Sequence, residues 1–270
     1  MEKRPPTILG AIAGDVIGSI YEVHNVRSTD FPLFTEGSDF TEGSDFTDDT
    51  VLTVAVADAI LNKKEFGRTI WEYGRMHRNR GYGGMFIRWL QERNPRPYGS
   101  YGNGSAMRVS PVGFACSTME EVLDMSRWSA EVTHNHPEGI KGAQATAAAV
   151  FMARNNSPKK DIRDFLATRF DYDLDFTLES IRPHYEFNVT CQGSVPQAIV
   201  AFLESSDYED AVRLAISIGG DSDTIACIAG GIAAAYYKHI PEEITEPVLD
   251  RLPPEFIDLI EQFDEAYSSP

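Results

Sequence analysis

Two runs of the chain carry neither charge nor periodicity: Val51 to Ala57, and Ile225 to Tyr237. A helix apolar on every side belongs in a core, so both are expected to be buried. Thr7 to Tyr21 predicts another core helix, with Gly10, Gly14 and Gly18 on one face. Glycine lowers helix stability, and close approach of a second backbone is the expected compensation. Gly67 to Arg80 and Gly84 to Glu92 read as helices with aromatic apolar faces. Ala106 to Cys116 reads as one kinked or divided at Pro111.

Further on, Ser117-Thr118-Met119-Glu120 has the pattern of a capping box, opening a helix that ends near Thr133. An alanine-rich helix spans Glu138 to Arg154, and Ser157-Pro158 begins the next. Thr177 to Tyr185, Gly193 to Glu204 and Asp207 to Ser217 are also helical, the last behind a second capping box, Ser206 to Glu209. Gly219-Gly220 is a helix stop, and a proline-rich connector precedes a final helix, Glu255 to Tyr267. No stretch alternates with period two. The expectation is an all-α, compact many-helix bundle, one domain over residues 1–270, because no linker is long or polar enough to divide it.

Composition narrows the function. The formal net charge of -17 argues against a nucleic-acid or anionic-membrane surface. It leaves room for a small phosphorylated ligand, which needs only local donors. Cys116, Cys191 and Cys227 show no paired spacing and read as reduced thiols of a cytoplasmic protein. Lys3-Arg4 before Ile8 to Gly14 imitates a secretory leader, but Pro5-Pro6 and Asp15 interrupt the pattern, which reads as a first core helix. No run reaches the ~18 apolar residues of a membrane span. Thr35 to Phe40 repeats letter for letter at Thr41 to Phe46. One copied hexapeptide is no solenoid; it reads as a tandem duplication tolerated in a surface loop, with a lengthened flap as the alternative.

The chemistry gathers where the core helices begin. Thr47-Asp48-Asp49-Thr50 opens the first and Asp221-Ser222-Asp223-Thr224 the second. A helix cap needs one such side chain; each cluster has two carboxylates. If the helices pack side by side, four buried carboxylates converge and repel, and burial further disfavours their charge. Helix dipoles offset only about 0.3–1 kcal/mol. Two hard divalent cations on oxygen ligands resolve this, Mg²⁺, Mn²⁺ or Ca²⁺ rather than zinc. Thr47 and Thr224 would add neutral oxygens. The loop Tyr101 to Ser105, feeding a helix, suits an anion through its backbone N–H groups. His134 and His136 read as hydrogen-bonding or phosphate-facing groups rather than metal ligands. Arg108 could face a phosphate too, but a helix-surface position is the expectation.

Taken in order, Gly14-Asp15-x-x-Gly18-Ser19-x-Tyr21-Glu22, Phe46-Thr47-Asp48-Asp49-Thr50, Gly102 to Val109, Thr133-His134 and Ser217 to Thr224 resemble the ADP-ribosylglycohydrolase family over about residues 7 to 238. The resemblance implies that family's orthogonal helical bundle, with a binuclear Mg²⁺ or Mn²⁺ centre at the bottom of an ADP-ribose cleft. By position Thr47, Asp48, Asp49, Asp221, Asp223 and Thr224 match metal ligands. Glu22 matches a flap carboxylate, Asn103, Gly104 and Ser105 the diphosphate loop, and His134 a residue lining the cleft; Asp15 is taken as structural. The implied reaction is hydrolysis at the ribose anomeric carbon, with Glu22, Asp48, Asp49 or Asp221 accepting the water proton. Arginine-linked ADP-ribose on a protein is the first-choice substrate by resemblance. Other ADP-ribosyl linkages, a di-metal nucleotide pyrophosphohydrolase and a non-catalytic ADP-ribose binder are the alternatives. The sequence departs from the pattern twice: the hexapeptide lengthens the segment between Glu22 and Thr47, and Ser194 stands where some relatives carry an aromatic residue.

Overall fold

A computed structural model describes residues 5–268; the Lys3-Arg4 pair of the leader-like pattern lies outside the described residues. Among those residues the regular structure is helical, in fifteen segments. They are α1 (Leu9–Val23), α2 (Asp48–Leu61), α3 (Phe66–Met76), α4 (Gly84–Gln91), α5 (Gly104–Met107), α6 (Ser110–Ala115), α7 (Met119–Glu131) and α8 (Pro137–Arg154). Then come α9 (Lys159–Phe170), α10 (Leu178–Ile181), α11 (Cys191–Glu204), α12 (Tyr208–Ile216), α13 (Ser222–Tyr237), α14 (Glu242–Leu249) and α15 (Pro254–Tyr267). One isolated antiparallel bridge pairs Gly102 with Thr190. The expected all-α fold is borne out, and no described helix is long and apolar enough to cross a membrane.

The two uncharged runs lie where their composition puts them. From Ser222 to Ala235 every residue of α13 is buried, and α1, α8, α11 and α12 pack around it. α1 and α13 are the most intimate pair, and the glycine face explains why. A Cβ on Gly14 would lie 2.1 Å from the Ala226 carbonyl oxygen, one on Gly10 2.2 Å from Ala234 Cβ, and one on Gly18 2.6 Å from Asp223 Cα. Only glycine permits that separation. It lays the far end of α1, where Glu22 sits, against the acidic start of α13.

Several boundaries differ from expectation for identifiable reasons. α3 stops at Met76, short of Arg80, because residues 77–83 turn back to α2. Within that return the Arg80 carbonyl accepts the Asp48 N–H at 2.6 Å. Gly81, at φ +91°, makes the turn. The capping boxes sit one residue later than predicted. Thr118 caps α7, accepting from Glu121 N–H, while the Glu121 carboxylate accepts from Thr118 N–H. Asp207 caps α12 by accepting from Asp210 N–H. The Ala106–Cys116 segment is divided into α5 and α6, with Pro111 in the first turn of the second. The supposed connector contains a helix, α14, despite Pro247, because Ile244 and Val248 bury against the body of the fold.

The duplicated hexapeptide is only half a surface insertion. The first copy turns through exposed Ser38 and Asp39. The second is built in: the Arg80 guanidinium donates to Asp45 at 2.6 Å and lies 3.5 Å over the Phe46 ring. Phe46 itself is buried. The Ser44 N–H donates to the Thr35 carbonyl at 3.0 Å, so the base of the loop is closed.

Candidate metal centre and cleft

Three helices deliver six carboxylates to one place: Asp15 and Glu22 from α1, Asp48 and Asp49 from α2, and Asp221 and Asp223 at the start of α13. Asp15 fixes the first turn of α2. Its carboxylate accepts from Thr47 N–H (3.0 Å), Thr47 Oγ1 (2.6 Å), Thr50 N–H (3.0 Å) and Thr50 Oγ1 (2.5 Å). Thr47 Oγ1 in turn accepts from Asp49 N–H at 3.3 Å, as an N-cap does.

The second cluster is presented by Gly219 and Gly220, at φ +70° and +80°. That turn is clamped from behind. Asn25 Oδ1 accepts the Gly220 N–H at 2.6 Å, and Arg27 donates to the Ile218 carbonyl at 2.5 Å. Asn103 closes the other side, donating through Nδ2 to Asp221 at 2.6 Å and to the Ser194 hydroxyl at 3.0 Å.

Carboxylate oxygens of Asp15, Asp49 and Asp223 lie within 4.8 Å of one another, as do those of Glu22, Asp221 and Asp223. Burial, followed by the charges of Asp15, Asp48 and Asp221, pushes the Asp49 carboxyl well above the ordinary range. Asp223 is raised in the same way, with Asp221 the leading neighbour. Glu22, half-buried at the rim, is pushed up to about 7 by burial and then by Asp221 and Asp15. Asp49 Oδ1 is buried without a hydrogen-bond partner among the described residues, and Asp49 Oδ2 receives the Thr224 hydroxyl, at 3.2 Å. Such an oxygen, beside other converging carboxylates, is what a hard divalent cation satisfies. The donor set fits that ion.

Above the acids opens a cleft of about 320 Å³, lined by Glu22, Asp48, Asp49, Asp221, Asp223 and Thr224 at its acidic end. Phe86, Tyr98, Asn103, Gly104, Arg108 and His134 are among the residues on its other walls. Gly102 and Gly104 face the His134 ring: a Cβ on Gly104 would lie 3.2 Å from His134 Nε2. His134 is buried, and burial followed by the Arg108 charge holds its pKa well below the usual imidazole range.

The structure thus gathers Glu22, Asp48, Asp49, Asn103, Gly104, His134, Asp221, Asp223 and Thr224 around one cleft. Two other predicted residues face elsewhere. Ser105 is buried, donating its hydroxyl to the Gly139 carbonyl at 2.7 Å. Thr47 directs its hydroxyl to Asp15. His136 caps α8, its Nδ1 accepting from Glu138 N–H at 3.1 Å. Arg108 contradicts the surface expectation: it is fully buried. Asp15, expected to be structural, spends its carboxylate on the four donors of Thr47 and Thr50, although one of its oxygens also lies among those of Asp49 and Asp223.

A family model described as ADP-ribosylglycohydrolase matches residues 6–269. The human ADP-ribosylhydrolase ARH3 is 29% identical over 312 residues, covering 87% of this chain and 86% of its own length. The ADP-ribosylarginine hydrolase Tri1 of Pseudomonas putida (strain GB-1) is 23% identical, covering 98% of this chain and 80% of its own. A solved ADP-ribosylglycohydrolase-related protein complex has the same fold, with a TM-score of 0.75 at 22% identity over 98% of this chain and 99% of that one. With its helical bundle and its family match over nearly the whole length, this chain belongs to the ADP-ribosylglycohydrolase family and is a hydrolase of ADP-ribose linkages.

Proposed function

We propose that this enzyme removes ADP-ribose from a modified arginine, using two Mg²⁺ or Mn²⁺ ions held by Asp48, Asp49, Asp221, Asp223 and Thr224, with Thr47 behind them, its hydroxyl on Asp15. The observation that carries the reading is the unpartnered Asp49 oxygen amid converging buried carboxylates. Such ions, when bound, would neutralise these carboxylates and act as Lewis acids toward ligand oxygens.

The chain's own groups supply the rest. Asn103 and Gly104 border the wall on which a diphosphate would lie, with His134 behind them; Ser105 supports that loop from within. Glu22 stands at the rim with an open side, placed to take a proton from an attacking water on Oε. Asp48, Asp49 and Asp221 are the other candidate bases. As water adds to the anomeric carbon, the bond to the acceptor breaks. The proton then passes to the leaving group. A guanidinium suits an anionic rim better than a neutral hydroxyl does, and the name of the Tri1 relative states the same linkage. The three cysteines are buried and unpaired, which supports a reducing, cytoplasmic setting. Neither a nucleic acid nor a membrane surface is an expected partner, given the net charge of -17.

The test is product release. Purified enzyme with Mg²⁺ or Mn²⁺ is incubated with arginine-linked, serine-linked and small-molecule ADP-ribosyl substrates. Free ADP-ribose from the arginine-linked substrate, abolished by chelator and by Asp49→Asn, is the expected result. Release only from another linkage overturns the arginine assignment, AMP as product makes the enzyme a pyrophosphohydrolase, and ADP-ribose binding without turnover makes it a binder.

A further inference from the structure

Arg108 is the largest fully buried side chain among the described residues, and the proposed chemistry does not use it. A buried guanidinium ordinarily has a carboxylate against it. This one donates through Nη2 to the Ser129 carbonyl and to the Thr133 hydroxyl, both at 2.9 Å, while Nε and Nη1 have no partner. Thr133 is fully buried, and its hydroxyl has a second neighbour, His134 Nδ1, at 2.7 Å.

The protons in this chain can be assigned. Arginine only donates, so Arg108 occupies a lone pair of Thr133 Oγ1. The hydroxyl proton needs an acceptor, and among the described residues it meets only His134 Nδ1. Were Nδ1 to carry a proton instead, that buried hydroxyl hydrogen would be unsatisfied, which is costly. Nδ1 is therefore the acceptor, and the ring proton sits on Nε2, beside Gly102 and Gly104 on the cleft wall. Burial and the nearby guanidinium both oppose a second proton on the ring.

We propose that Arg108 is a positioning residue which, through the Thr133 hydroxyl, fixes His134 as the neutral imidazole that presents Nε2–H to the cleft as a hydrogen-bond donor. The tautomer stands on the hydrogen bonds alone; that the donor meets an oxygen of ADP-ribose rests on the function proposed above. With Nδ1–H instead, Nε2 would present a lone pair toward a phosphate oxygen, a repulsive contact. A glycine at 104 leaves the nitrogen uncovered, where any side chain would approach it to 3.2 Å.

Nitrogen NMR of enzyme labelled at histidine, without ligand, tests this, with the His134→Gln variant assigning the signal. In wild type, Nδ1 is expected as an unprotonated, acceptor-type nitrogen and Nε2 as a protonated one. A protonated Nδ1, whether in the other tautomer or in the imidazolium, overturns the proposal. Thr133→Val keeps the shape and removes the relay. It is expected to mix the tautomers and raise KM for an ADP-ribosyl substrate in inverse proportion to the remaining Nε2–H fraction, about twofold for an even mixture, with Thr133→Ser restoring both. A Thr133→Val spectrum identical to wild type overturns it as well. Should no ADP-ribosyl substrate be turned over, the spectra still decide the relay, and only the ligand reading falls.

Discussion

Replacing Glu22 by Gln should make the metal-free enzyme more stable and the metal-loaded enzyme less so. Glu22 sits at the end of α1, its carboxylate oxygens within 4.8 Å of those of Asp221 and Asp223. Burial and the charges of Asp221 and Asp15 move its carboxyl from 4.5 to about 7. A pKa raised on folding means the folded state binds more protons than the unfolded one. The resulting stabilisation is fully present below pH 4.5 and is lost as pH rises through about 7. At ~1.4 kcal/mol per pKa step the cost above that range is about 3 kcal/mol. Solvent on its open side reduces this to about 2 kcal/mol. Glutamine has no charge to lose, so thermal melts in chelator at pH 8 should place Glu22→Gln roughly 4–8 °C above wild type. Near pH 4.5 the gap should close. With excess Mg²⁺ or Mn²⁺ the order should invert, because wild type gains more from ion binding. A gap independent of pH, or a variant less stable than wild type in chelator at pH 8, would refute the crowded-carboxylate account of this site.

Gly14→Ala should cost about 2 kcal/mol in urea unfolding, since the clash with the Ala226 carbonyl outweighs the gain of about 1 kcal/mol in helix propensity; equal stability would mean α1 and α13 are free to separate. Asp15→Asn leaves an amide N–H facing the donors of Thr47 or Thr50, and about 3 kcal/mol should be lost, read by chemical denaturation without metal at pH 4.5; at pH 8, relief of the repulsion on Glu22 and Asp49 offsets part of it. A loss under about 1 kcal/mol would show that this carboxylate does not order the first turn of α2. Deleting one copy of the hexapeptide should change stability by no more than about 1 kcal/mol, because loop length itself costs little and Arg80, Asp45 and Phe46 remain. A melt lowered by more than about 10 °C would make the first copy structural as well.

The fold was legible where local chemistry and packing agree. The glycines of α1 and the uncharged runs of α2 and α13 admit no solvent-exposed reading, and they position the site. The caps were misread because the signal occurs twice. Ser117-Thr118 followed by Glu120-Glu121 satisfies the pattern in two registers, and burial of Val122 and Ser126 selects the later one. The tandem Ser206-Asp207 and Glu209-Asp210 are ambiguous in the same way. α14 was hidden by Pro247, whose local penalty the burial of Ile244 and Val248 outweighs. Arg108 was misplaced because periodicity does not predict that α5 ends at Met107 and the chain turns inward. The carboxylates themselves were legible because each cluster exceeds what a helix cap requires. The turns that aim them were less so. Gly219-Gly220 was foreseen as a stop, but its clamp by Asn25 and Arg27 is a contact between segments almost 200 residues apart, written in neither one.

The most direct test of a shared ion site is anomalous X-ray scattering from crystals soaked in Mn²⁺ and ADP-ribose. Peaks are expected among Asp48, Asp49, Asp221, Asp223 and Thr224, with the ribose against them and the diphosphate along Asn103 and Gly104. Manganese bound elsewhere, with these carboxylates still facing one another and no ion between them, would contradict the account.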